Sequence, residues 1–422
     1  MLSLLLVAMI SCTGEAIHEE EVIKETSVVS KEEALERLNT FLSETQTKSV
    51  VKRTIQSVGE YYRTQDGNTT VPAAYIVNFN DCKGFAVLGA RSGMDGIIAI
   101  TDSGQMDAET LTISFEGNDS SGSDADTERI SAFVKQIIKI GVSNDRDGEG
   151  GNGSGISDWD EDPEFDPSVP GVGGGTSYYT TRSPMLSFSW SQEAPYNSYC
   201  EYFNPNSGNL EIAATGCSTT AMAMIVAANE FPQSMYVNGI ALDWEALKGT
   251  YNASYLLPMY QNQVALLMGS IFHHVYKTII SGQTCIFPQE IKERMEDFGY
   301  SNVIKLSDST LSSEMKWAIS DMLRDNKPVF ISAIPGATLA KAHSWVVDGG
   351  KYSSGAYLLH FNFGWNGKCN GYFSPSCLNP SQGIEYDNGY IYNEDDDYTY
   401  NWHFRVITYD IPSSPSTLQV EF

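Results

Sequence analysis

The stretch Thr215-Gly216-Cys217-Ser218-Thr219-Thr220-Ala221 opens a run of small and apolar residues that ends near Glu230. Within it Ala221, Met224, Ile225 and Ala228 recur at helix spacing, and the opposite face is also small or apolar, so the run predicts a buried helix. Cys217 stands at its start. Unpaired backbone N–H groups and the dipole at a helix N-terminus favour negative charge, which eases loss of the thiol proton. A small buried cysteine packing beside Gly216 is the plainer alternative, and for a lone cysteine the more frequent one. The choice between them depends on what lies downstream.

Downstream stands Ala342-His343-Ser344-Trp345-Val346-Val347-Asp348-Gly349-Gly350, then Tyr357-Leu358-Leu359-His360-Phe361-Asn362-Phe363-Gly364-Trp365. The Gly- and Ser-rich residues 349–355 between them read as a hairpin turn. A hairpin centred near Tyr352 or Ser353 sets His343 opposite Phe361 or Asn362, on a shared face. The amide oxygen of Asn362 then holds the imidazole in one tautomer. A thiol, a base and a group that orients the base are what nucleophilic catalysis requires.

Around these stretches the chain divides by composition. Residues 183–413 read as one domain, helical first: the Cys217 helix, then Gln263–Lys277, a helix opening at Pro288, and Ser312–Asp325. Strands follow at 329–332, 344–347, 357–363, 371–373 and 404–409, so the class is α+β. Residues 18–140 read as a smaller α+β unit. It has a Ser30/Glu33-capped helix, strands at 75–79 and 84–88, and a helix over 128–140 presenting Ile130, Phe133, Val134, Ile137 and Ile138. No catalytic side chains gather there. Between the two, residues 141–182 are rich in Gly, Asp, Glu, Ser and Pro, which predicts a mobile linker open to processing. Asp145, Asp147 and Glu149 imitate a calcium loop whose closing position is Ile156, so no metal is expected.

The formal charge of −27 argues against nucleic acid as a partner, because phosphate binding needs a basic surface, and suits a soluble protein working outside the cell. Seven cysteines in 422 residues leave at least one thiol unpaired. Pairing among Cys200, Cys285, Cys369 and Cys377 stays open. Residues 1–17 begin with an apolar run shorter than a membrane span, as in an export signal, and Ser11-Cys12 resembles a loose lipoprotein box that admits lipidation and membrane anchorage at Cys12. Residues 414–422 form a tail. His273-His274 and His360 read as structural residues.

Taken in order, several motifs resemble the streptopain family of secreted, papain-like bacterial cysteine peptidases. They are Trp190-Ser191-Gln192 with Pro195-Tyr196-Asn197, Gly216-Cys217, Asn238-Gly239 with Asp243-Trp244, and His343 with Asp348-Gly349. Asn362-Phe363-Gly364-Trp365-Asn366-Gly367, Gly371-Tyr372-Phe373 and Leu378-Asn379-Pro380 complete the set. The 18–140 unit, above all residues 75–88, resembles that family's inhibitory prosegment. The resemblance implies a zymogen with its own prodomain as inhibitor in cis, protein or peptide substrates and no cofactor. It also implies Cys217 as nucleophile, His343 as base and then acid, Gln192 as oxyanion donor, Asn362 orienting His343, and Trp365 or Phe363 shielding that contact. Two positions depart from the family pattern: Phe363, commonly Trp, and Ala342, often Gly. The competing expectation is a surface binding or adhesion protein on a peptidase scaffold that no longer turns over.

Overall fold

The computed structural model describes residues 28–45, 53–63, 71–115, 124–143, 180–248, 257–308, 311–334, 342–353, 356–378 and 403–422. The signal-like run, Cys12, the calcium-like stretch, nearly all of the acidic linker and Asn379-Pro380 lie outside them.

The N-terminal unit has the two expected helices and two expected strands, with two longer-range strands, 55–61 and 99–101, that the sequence reading does not single out. Helix α1 (Lys31–Thr45) starts where Ser30 Oγ accepts the Glu33 N–H at 3.2 Å. Its Ala34, Leu38 and Phe41 bury one face of strands β2 (Ala74–Phe79) and β3 (Phe85–Gly89), against Tyr75, Val77, Ala86 and Leu88. Alternate residues Ile76, Phe85 and Val87 point the other way, into the same hydrophobic cluster as α2 (Asp124–Ser143). Each large apolar side chain buried there contributes about 1.5–3 kcal/mol. Strands β1 (Ile55–Tyr61) and β4 (Ala99–Thr101) flank the pair.

In the second domain α3 (Cys217–Asn229) is the central helix, with residues 218–227 buried. Four more follow: α4 (Trp244–Lys248), α5 (Pro258–Phe272), α6 (Pro288–Asp297) and α7 (Ser313–Arg324). Helix α5 begins earlier than expected because Pro258 suits a first helical position, and it stops at Phe272. Six strands of the domain belong to one sheet with β1–β4: β5 (Ser301–Asp308), β6 (Val329–Ile334), β7 (His343–Ser353), β8 (Ala356–Asn362), β9 (Gly371–Phe373) and β10 (His403–Asp410); shorter strands lie outside it, among them Thr417–Val420 of the expected tail, which pairs with Ser234–Val237.

All ten strands form one antiparallel sheet in the order β1-β2-β3-β4-β9-β8-β7-β6-β10-β5. The two domains therefore share a sheet, joined where β4 pairs with β9. Gly371 is required at this joint, since a Cβ there would lie 2.1 Å from the Ile100 carbonyl oxygen. The helical half followed by an antiparallel half, behind a small α+β unit, is the α+β architecture expected.

The β7–β8 register differs from the expected one. Ser353 pairs with Ala356, and an extra residue, Asp348, bulges from β7, so that Val346 pairs with Asn362. Continued three residues further, that register brings His343 across from Trp365, not from Phe361 or Asn362.

Candidate active site

Cys217 is the first residue of α3, and Gly216 before it has φ +87°, a conformation that side chains resist. A Cβ on Gly216 would also stand 2.9 Å from the Thr284 carbonyl oxygen. Ser218 Oγ lies 2.9 Å from Ser344 Oγ and donates to the Ile286 carbonyl at 3.0 Å, sewing the helix start to the strand that begins with His343. Gln192 is brought to the same place by its main chain, whose carbonyl accepts the Thr215 N–H at 2.9 Å.

Burial pushes the Cys217 thiol up, against hydrogen bonds from Ser344 and the Ser218 N–H that act the other way. His343 is 5% exposed, and burial pushes it down to about 3, its bond to Phe363 offsetting only part of that. Burial thus opposes charge on both groups while the N-terminal unit covers them. The imidazole Nε2 lies 2.9 Å from the Phe363 carbonyl oxygen. A carbonyl can only accept, so Nε2 carries the proton and Nδ1 keeps the lone pair. One face of the ring stacks on Trp365, with centroids 3.9 Å apart and planes at 17°.

Asn362 makes no direct contact with the imidazole. Its Nδ2 donates to the Phe188 carbonyl at 3.0 Å and to Ser189 Oγ at 3.2 Å, and its Oδ1 accepts the Gly364 N–H at 3.2 Å. It braces the Phe363–Gly364 peptide, whose carbonyl in turn holds His343. The orienting acceptor is main chain, which a search for side-chain types does not find.

Sequence reasoning also missed Phe133. This α2 residue is 7% exposed, and its ring stands edge-on to His343 at 5.1 Å, with Trp345, Phe363 and Trp365 at 5.6, 6.0 and 5.8 Å. The N-terminal unit therefore covers the imidazole with an apolar ring. In the sequence Phe133 is one apolar residue on a helix face, and nothing local marks its partner.

The other histidines singled out in the sequence bond to main-chain carbonyls or to carboxylates. His273 Nε2 meets the Tyr199 carbonyl at 2.7 Å and stacks on Phe422, and His274 Nδ1 meets the Ser270 carbonyl at 3.0 Å. His360 Nδ1 bonds Asp348 Oδ1 at 2.6 Å, and its Nε2 faces Asp102 of the N-terminal unit at 3.7 Å. Burial opposes its charge, but these carboxylates prevail and push it up to about 10. All cysteines among the described residues are free thiols. Among those residues no group of three His, Cys, Asp or Glu side chains could hold a metal ion, and no helix is long and apolar enough to cross a membrane.

A helix-borne thiol bonded to Ser344, the residue after a strand-borne imidazole that Phe133 covers, is the arrangement of a thiol-peptidase scaffold. The profile of the peptidase C10 family, that of streptopain, matches residues 190–373, and that of the Spi protease inhibitor family matches residues 26–116. Helix α2 lies between the two matched regions. The thiol protease/hemagglutinin PrtT of Porphyromonas gingivalis is 26% identical over 215 residues, 45% of this chain and 23% of that protein. Streptopain of Streptococcus pyogenes is 25% identical over 194 residues, 40% of this chain and 47% of that one. The match spans less than half the length of either relative. The active interpain A cysteine protease of Prevotella intermedia aligns with a TM-score of 0.40 and 19% identity, covering 55% of this chain and 96% of that structure.

Proposed function

We propose that this chain is a cysteine endopeptidase made as a zymogen, with the N-terminal unit as its inhibitor in cis. The observation that carries the reading is the state of His343. Its proton is fixed on Nε2, its Nδ1 is left as the base, and Phe133 of the N-terminal unit covers the ring. Withdrawal of α2 would rehydrate the imidazole, raise its proton affinity and let it take the Cys217 proton. The α3 N-terminus then favours the thiolate. That thiolate attacks a peptide carbonyl carbon; the Cys217 N–H and the Gln192 side-chain amide meet the oxyanion, and His343 protonates the leaving amine. Water, deprotonated by His343, releases the acyl group and regenerates the thiol. Asn362 acts through the Phe363–Gly364 peptide, and Trp365 keeps water from the imidazole face.

The apolar run before Ser11-Cys12 and the acidic charge support export to the outside of a bacterial cell, with lipid attachment at Cys12 as one form of it. Protein substrates follow from the family. The test is hydrolysis of an unfolded protein substrate, such as a fluorescently quenched casein, by the full chain under reducing conditions. Turnover by the wild type and none by Cys217→Ala is expected. A folded wild type that does not turn over, with or without its N-terminal unit, overturns the reading in favour of a binding scaffold.

A further inference from the structure

Asn370 is 4% exposed and lies in the loop between Trp365 and β9. Its Oδ1 accepts the Phe363 N–H at 3.0 Å, and its Nδ2 donates to Ser189 Oγ at 2.7 Å. Each partner leads to the site by a short path. Phe363 supplies the carbonyl that fixes His343, and Ser189 stands three residues before Gln192, whose carbonyl is tied to Thr215. Asn366, four residues before Asn370, donates its N–H to the Trp190 carbonyl at 2.9 Å, a second link between the same two segments. One buried amide thus joins the loop that orients the base to the segment that carries the oxyanion donor.

The N-terminal unit grips the same loop. The Asn370 carbonyl accepts the Asp102 N–H at 2.7 Å. Ser103 Oγ accepts the Cys369 N–H at 3.1 Å and donates to the Gly367 carbonyl at 3.2 Å. When β4 leaves β9 these bonds go with it. The side-chain bonds of Asn370 to Phe363 and Ser189 lie wholly within the second domain and remain.

We propose that Asn370 is a positioning residue of the peptidase domain: its side chain holds the Phe363–Trp365 loop and the Ser189–Gln192 segment in register, and the prodomain contacts it through its main-chain carbonyl. The proposal rests on the peptidase reading above. A buried amide that only closed its own loop would affect stability alone. A positioning residue also changes how the base is presented, and a displacement of about 1 Å at such a site can cost about a hundredfold in rate.

The test uses the full chain after processing, comparing Asn370→Ala, Asn370→Asp and Ser189→Ala by kcat, KM and the pH profile of Cys217 alkylation by iodoacetamide. Asn370→Ala should lower kcat about ten- to a hundredfold with KM within about twofold, and should displace the alkylation profile. Asn370→Asp should recover most of the loss, because its carboxylate accepts the Phe363 N–H and also a proton from the Ser189 hydroxyl. If Asn370→Ala does not fold, Ser189→Ala cuts the same link from the other side, together with the Asn362 bond to that hydroxyl, and should show the same split. Wild-type kcat and wild-type alkylation profile in Asn370→Ala or, failing that, in Ser189→Ala overturn the proposal. A wild type that alkylates but never hydrolyses defeats the peptidase reading instead, and the alkylation profiles still decide the role of Asn370.

Discussion

The chemistry assigned to single residues follows from what each atom can donate or accept. Cys217→Ala and His343→Ala should each lower peptide hydrolysis at least about a thousandfold, read as kcat/KM on a peptide substrate, with the far-UV circular dichroism unchanged. Asn362→Ala is a different kind of change. It leaves the Gly364 N–H, the Phe188 carbonyl and a Ser189 bond without their partner, so it should cost about 1–3 kcal/mol of stability by urea denaturation as well as activity. Cys217 and His343 could be singled out in the sequence because a thiol at a helix start and a histidine opening a strand carry their chemistry in their type. The Phe363 carbonyl could not, since every residue has one. Asn370 was missed for a related reason: its partners lie seven and 181 residues earlier in the chain.

Among the elements, α2 does what no local pattern announces. Its apolar face predicts a core helix, and the helix is one, but Phe133 extends that core onto His343. Phe133→Ala should open a cavity, weaken the hold of α2 by up to about 3 kcal/mol, and raise the hydrogen exchange of residues 124–143. Exchange unchanged from wild type would mean that the ring adds nothing to the hold. Elements with a local cause were legible: Ser312 caps α7 through the Met315 N–H at 3.4 Å, and Pro288 opens α6. Other features were not, two of them in the second domain's part of the main sheet. Strand β5, Ser301-Asn302-Val303-Ile304-Lys305-Leu306-Ser307-Asp308, mixes exposed apolar with polar residues because it is a sheet edge, and so lacks a clean period of two. The β7–β8 register turned on the place of the hairpin, which closes with Ser353 opposite Ala356 and not at Tyr352 or Ser353; the Asp348 bulge moves the pairs beyond it by one residue.

Across the whole molecule, two buried histidines pull stability in opposite directions with pH. His343 is pushed down to about 3 from an ordinary 6.5, so the unfolded chain binds more protons between those values and stability is lost as pH falls through that window. His360 is pushed up to about 10, so its contribution is full below 6.5 and is lost as pH rises towards 10. The uncut chain should therefore be most stable near pH 6.5 in thermal melts. His343→Gln should flatten the acid limb and His360→Gln the alkaline one; limbs unmoved by these changes would place the pH dependence elsewhere. On the proposed reading, acid loosening of the His343 pocket would also favour withdrawal of Phe133. The shared sheet makes release a global event, because β4 must part from β9 before the N-terminal unit can leave. The most direct test of latency by the chain's own N-terminal unit is the intact mass of the full wild-type chain and of Cys217→Ala, followed over time under reducing conditions. The account predicts that the wild type alone sheds an N-terminal piece ending within residues 141–182 and gains activity as it does so. Shedding of the same piece by Cys217→Ala at the same rate, or full activity in the uncut wild type, would contradict it.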